Sequence, residues 1–133
     1  MDNQTLVKEQ IDDGQKLLQQ LRETGFDVAA GFWALTTDDA RWIFYIASAE
    51  VDAQGLAAAF RVVNNVRARA HCLWIPGSDV RLISSNDPMA TDAVSFGSDR
   101  FATRFGGRKL GGLIIESAYI YPMSGVSVHS ASE

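Results

Sequence analysis

Cysteine is all but missing from this chain. Cys72 is the single one, so no intrachain disulfide can form and no cysteine cluster can hold a metal. Only three prolines interrupt the 133 residues, too few for a proline-rich linker. No apolar run approaches the roughly 20 residues that a membrane-spanning helix needs. The start, Met1-Asp2-Asn3-Gln4, shows neither the basic residues nor the apolar stretch of a secretory signal. A cytoplasmic protein without membrane contact is therefore expected, and the sequon Asn3-Gln4-Thr5 is an accident of composition. Positive charge is also in short supply. Twelve Lys and Arg against 16 Asp and Glu leave a net charge of −4, which disfavours a nucleic-acid partner held by bulk charge.

What is present is ordinary globular material, with 47% hydrophobic and 21% charged residues. A chain of this length builds one core. The pattern predicts one domain over 1–122 and a disordered, serine-rich tail over 123–133.

Residues 4–24 read as an amphipathic helix with Val7, Ile11, Leu18 and Leu21 on its stripe and Leu6 and Leu17 widening it. Gly14 sits in the gap and weakens the helix by about 1 kcal/mol relative to alanine. Gly25 is placed for a left-handed cap, with Phe26 folding back as its hydrophobic contact. Val28–Thr36 and Arg41–Ser48 read as strands of a hairpin joined by Thr37-Asp38-Asp39-Ala40. In the second strand Trp42, Phe44 and Ile46 oppose Ile43, Tyr45 and Ala47, so both faces are apolar and both need a cover. Helices are expected on one face, and a second subunit is a candidate for the other.

Residues 54–70 read as a second helix with Leu56, Phe60, Val63 and Val66 inward and Arg61, Asn65 and Arg69 on a polar face. His71–Ile75 reads either as a short strand or as a plug beneath a loop. Val80–Ser84 reads as a strand, and Asp87-Pro88 as the N-cap and first position of a short helix that fades near Gly97. Arg100–Phe105 and Leu113–Tyr121 form a last hairpin across the glycine-rich segment 106–112. The order α-β-β-α-β-α-β-β with adjacent hairpins predicts an α+β fold, a mainly antiparallel sheet of about five strands carrying the long N-terminal helix.

Each candidate site has a plain structural alternative. Gly107 and Gly112 have the spacing of phosphate-loop glycines, but Leu113 stands where the lysine belongs and a strand follows. The basic residues there, Arg100, Arg104, Arg108 and Lys109, leave only weak anion binding open. Arg61, Asn65 and Arg69, with Asn64 and Arg67, suit phosphate contact, but cations near a helix C-terminus equally complement its dipole. Glu116 lies among apolar residues on the last strand, on a face shared with Ile114, Ala118 and Ile120. Burial there would suit acid–base chemistry; solvent exposure, or pairing with Arg41 or Arg104, is the structural reading. His71 and Cys72 are adjacent, which on a strand sends them to opposite faces, so no metal site or cofactor is expected. Cys72 reads as a small core residue. Trp33, Trp42 and Trp74 are core material first, and one left exposed would mark a partner or ligand surface.

Four segments together carry a resemblance: Phe26-Asp27-Val28 through Trp33, Arg41-Trp42 through Ser48, Val51-Asp52-Ala53-Gln54-Gly55, and Ile115-Glu116-Ser117-Ala118-Tyr119-Ile120-Tyr121. They resemble a widespread set of small bacterial conserved hypothetical proteins without assigned function, some carried on genomic islands or mobile gene cassettes. The resemblance covers most of residues 5–121. It implies a bacterial, cytoplasmic domain and transfers no catalytic residue.

Three functions follow as expectations. The first is a non-catalytic accessory or binding module, a homo-oligomer with a dimer favoured, acting through protein or small-ligand contacts. The second is a small enzyme or ligand-binding domain with a pocket formed by Glu116, Tyr119, Tyr45 and Arg41. The third is nucleic-acid binding through Arg61, Arg67 and Arg69 with the basic hairpin.

Overall fold

The computed structural model describes residues 5–122, and the predicted tail, 123–133, lies outside the described residues. The elements run α1 (Lys8–Glu23), β1 (Ala30–Thr36), β2 (Trp42–Ser48), α2 (Glu50–Gln54), α3 (Leu56–Arg69), β3 (Val80–Ser84), α4 (Pro88–Phe96), β4 (Thr103–Phe105), β5 (Arg108–Leu110) and β6 (Leu113–Ile120). The fold is α+β, with the N-terminal helix first as expected. The strands make one sheet in the order β3-β2-β1-β6-β4, and β5 also pairs with β6. It is a mixed sheet: β3 runs parallel to β2, and every other pairing is antiparallel. The parallel step follows from the connection, because α2 and α3 carry the chain back across the sheet before β3 begins.

Six strands stand where five were expected, because the glycine-rich segment is not all loop. Leu110 pairs with Leu113 across a two-residue turn whose residues, Gly111 and Gly112, both have positive φ, 58° and 91°. That is the backbone a tight type I′ hairpin demands. Upstream, Gly106 and Gly107 carry the chain from β4 to β5 along the same side of β6. A Cβ at Gly106 would stand 2.5 Å from the Glu116 carbonyl oxygen, so only glycine passes there.

Every residue of β1 and β2 is buried. On one face Trp33, Leu35, Trp42, Phe44 and Ile46 pack under Leu17, Leu18 and Leu21 of α1 and Ala59, Val63 and Val66 of α3. On the other face Phe32, Ala34, Ile43, Tyr45 and Ala47 pack under Met89, Ala90 and Ala93 of α4 and Leu110 of β5. The split between the two halves of β2 is the one the alternation implies. The second cover, however, is the chain's own α4 and not another subunit. A short helix suffices there because its small residues Ala90 and Ala93 let it lie close to the sheet.

The helix ends are built as their residues dictate. Gly25 takes φ 89° after α1, and the Phe26 amide donates to the Leu21 carbonyl at 3.0 Å, closing a Schellman cap over a buried Phe26. The same motif ends α3 with His71 in glycine's place at φ 57°, and the Cys72 amide donates to the Arg67 carbonyl at 3.2 Å. His71–Ile75 is therefore a cap followed by a buried plug, with Cys72 and Ile75 in the core, and not a strand. At the start of α4, Asp87 Oδ1 accepts from the Met89 amide at 2.8 Å with Pro88 at the first position.

Candidate functional site

The sheet has two edges, and they are built differently. The β4 edge is three residues long, broken at Gly106-Gly107, and flanked by cations. Arg104 lies 4.8 Å over the Tyr119 ring, and Arg108 lies 5.1 Å over the Phe96 ring. Shortness, a break and positive charge are the devices by which proteins blunt an edge against pairing. The β3 edge is longer and unbroken, and its one cation, Arg81, is held in an ion pair with Asp39. It is five regular residues, Val80-Arg81-Leu82-Ile83-Ser84, and its outer side is paired with no strand among the described residues.

The one charge on β3 is drawn away from that edge. Arg81 stands opposite Tyr45 on β2, and its Nη1 donates to Asp39 Oδ2 at 3.2 Å and to the Tyr45 hydroxyl at 3.3 Å. Asp39 is itself held in the β1–β2 turn, accepting from Thr36 Oγ1 at 3.1 Å. The guanidinium thus lies back across β2, 5.7 Å over the Tyr45 ring. Burial pushes the Tyr45 hydroxyl above its ordinary pKa, opposed by the nearby Arg81 charge. Asp52 fixes the far end of β3 by accepting from Ser84 Oγ at 2.6 Å.

Beside this edge runs an apolar groove of about 500 Å³, lined by Leu56, Ala57 and Phe60 of α3 and by Val80, Arg81 and Leu82 of β3. Leu56 and Phe60 belong to the stripe predicted to face inward. Val63 and Val66 do so, but Leu56 remains 54% exposed and Phe60 half-buried. The reason is positional. The first turn of α3 overhangs the edge strand of the sheet, where among the described residues no further strand lies beneath it to bury the stripe.

The residues predicted to share a pocket are not brought together. Tyr45 packs on the α4 face, buried and stacked on Phe32 at 5.1 Å, whereas Tyr119 packs on the α1 face beside Tyr121 and Arg104. Arg41 pairs with Asp79 at 2.7 Å at the start of β2. Glu116 is exposed and lines none of the three clefts described here. Its expected face-sharing with Ala118 and Ile120 fails because β6 slips register against β1. Leu35 pairs with Ser117, but Thr36 pairs with Ile115. This bulge at Glu116 moves Ile115 onto the buried face in its stead.

The basic residues are likewise dispersed. Arg104 and Arg108 lie over opposite faces of the sheet, and Lys109 is exposed on β5. Arg67 is occupied by the Asn64 side chain at 2.8 Å and the Ile75 carbonyl at 3.2 Å, so it ties the plug to α3. Arg61 is exposed. Arg69 and Asn65 line a cleft of about 320 Å³ of mixed polar and apolar character, with Glu50, Gln54, Val62, Val66 and the Thr24-Gly25-Phe26 cap. Of the tryptophans, Trp33 and Trp42 are buried, and Trp74 is 52% exposed in a cleft with Trp42, Arg41, Asp79, Thr5, Val7 and Gln10. The Trp42 indole nitrogen is buried with no hydrogen-bond partner.

Among the described residues no three of His, Cys, Asp or Glu gather as a metal site would require. Cys72 is buried with its Sγ 3.6 Å from the Asp13 carbonyl oxygen, and burial, then the Asp13 charge, push its thiol pKa up. That is the setting of an inert thiol. Sequence reasoning missed Arg81, Asp39 and the groove-facing role of Val80 and Leu82. The available signal was the last position of Val80–Ser84 in a chain whose other strands had hairpin partners.

The class defined by this geometry is a small α+β module with a two-sided core, one blunted sheet edge and one open edge beside an apolar groove. No family model, curated protein or solved structure matches the chain. No helix among the described residues is long and apolar enough to cross a membrane.

Proposed function

We propose that this chain is a non-catalytic binding module of the cytoplasm that recognises an extended polypeptide segment at the β3 edge. The observation that carries the reading is the difference between the edges: β4 is short, broken and flanked by cations, whereas β3 is regular, has its one charge, Arg81, paired with Asp39, and is flanked by the Leu56–Phe60 groove. An added strand supplies main-chain hydrogen bonds to such an edge, and its alternate apolar side chains fill the groove. Each Leu- or Phe-sized side chain so buried contributes about 1.5–3 kcal/mol. The lone buried thiol suits a reducing compartment. The resemblance to small bacterial proteins assigns no activity, and a module that binds without chemistry is compatible with it.

Site-specific photo-crosslinking in cells tests the reading. A photoreactive residue at Ala57, on the groove, should give discrete protein adducts, whereas one at Arg100, beside the blunted edge, should give none. Adducts at both positions, or at neither, would contradict it.

A further inference from the structure

The β3 strand is complementary to itself, and this points to an occupant. We infer that the strand received at the β3 edge is β3 of a second copy of this chain, paired antiparallel about a two-fold axis through Leu82. The inference rests on the reading of the β3 edge as the recognition surface.

A two-fold pairing presents the same patch from both partners, so whatever lies on one side of the axis meets itself reversed on the other. Centred on Leu82, the register sets Val80 opposite the second copy's Ser84 and Arg81 opposite its Ile83. Directly opposed residues in an antiparallel ladder share a face, and like charges there repel. In this register the only charged residue of β3 never faces its own copy. Each Arg81 also arrives already neutralised, because Asp39 holds its guanidinium at 3.2 Å. A register centred on Arg81 would instead set two guanidinium groups directly opposite, and it is disfavoured for that reason.

The groove obeys the same symmetry. Val80 and Leu82 pack on the α3 face of the sheet, so the apolar side of each β3 comes against that of its copy. Leu56 and Phe60 overhang this side from both partners and close over the seam. The two six-stranded sheets then continue into one, and each copy's blunted β4 edge becomes an outer rim of the doubled sheet. This ends the assembly at two, since among the described residues no unblunted edge is left to propagate it.

Light scattering of the purified full chain at tens of micromolar should give twice the chain mass. Leu56→Asp changes an exposed residue at the first position of α3, where a negative charge suits the helix dipole. It should raise the dimer dissociation constant at least tenfold with an unchanged circular dichroism spectrum. The register is read by disulfide trapping. Arg81→Cys mixed with Ile83→Cys should cross-link across the seam, and neither variant should do so alone. A wild-type chain that is strictly monomeric overturns the inference. Cross-linking of Arg81→Cys with itself overturns the register. A monomer in which the β3 amides that point away from β2 are nonetheless protected from hydrogen exchange overturns it in favour of another segment of the same chain. Adducts at Ala57 that contain only other proteins overturn the second copy while leaving the recognition edge standing. Absence of any adduct at Ala57 removes both.

Discussion

The Trp33 indole donates to the Tyr121 hydroxyl at 3.0 Å, and that hydroxyl donates onward to the Ile11 carbonyl at 2.7 Å. One buried oxygen thus ties β1, the end of β6 and the middle of α1 together. Gly14 makes room for it. A Cβ at that position would run into the Tyr121 hydroxyl, so the residue that weakens α1 locally lets the helix sit close to the sheet. Gly31 does the same from β1, beneath Leu18.

Gly14→Ala is therefore expected to destabilise the protein despite alanine's better helix propensity. The gain of about 1 kcal/mol from propensity is outweighed by overpacking of about 1–3 kcal/mol and the displaced hydroxyl. Tyr121→Phe should cost about 1–3 kcal/mol by leaving the buried Trp33 N–H without an acceptor. The double variant should lose less than the sum of the two, because removing the hydroxyl also removes the atom that alanine meets first. Urea midpoints of the four proteins in a double-mutant cycle give the measurement. Strict additivity would contradict the shared oxygen.

The tyrosines make stability fall in alkali. Burial is the leading cause that raises the pKa of Tyr45, Tyr119 and Tyr121, with Tyr121 raised furthest. A group whose folded pKa lies above its unfolded value stabilises fully below the unfolded value, near ~10 for tyrosine, and loses that contribution as pH rises past it. The folded protein should show little tyrosinate absorbance until it unfolds, and its urea midpoint should decline from about pH 10 upward. Tyr121→Phe should flatten part of that decline. A tyrosinate titration near the free-phenol value in the folded state would exclude burial as the cause.

The two Schellman caps predict substitutions of opposite sign. His71 holds φ 57° where glycine is favoured, so His71→Gly should stabilise by up to about 1 kcal/mol, once the greater unfolded-state freedom of glycine is subtracted. Gly25→Ala should lose about 1 kcal/mol through backbone strain alone, because nothing lies within 4 Å of the added Cβ. Thermal midpoints of the two variants check both signs.

Local chemistry was the legible part of the fold. The Gly25-Phe26 cap, the Asp87-Pro88 helix start and the two-faced β2 each depend on a few neighbouring residues, and each formed as the sequence implies. Features set by distant partners were not legible. That β3 pairs parallel to β2 depends on where α3 returns the chain, and the bulge at Glu116 depends on how β1 and the β4–β5 segment meet β6. An unbroken alternation puts Glu116 on the face of Ala118 and Ile120, and one slipped residue turns it to solvent instead. The groove was half visible: Leu56 and Phe60 were correctly placed on one stripe, but only the sheet order shows that the sheet ends beneath them.

The position of β6 has a consequence for how the chain comes to be folded. Among the described residues it is the last strand in the chain and yet lies between β1 and β4, and Trp33 meets Tyr121 across 88 residues of sequence. Pairings that far apart close late and slowly. During synthesis the hairpin of β1 and β2 therefore emerges before its partner and waits, its aromatic rows open and one side of β1 untaken, until β6 leaves the ribosome. In that interval the nascent chain presents a second, temporary sticky edge that the finished protein does not have, and this is the stage at which a chaperone or a misdirected strand can reach it.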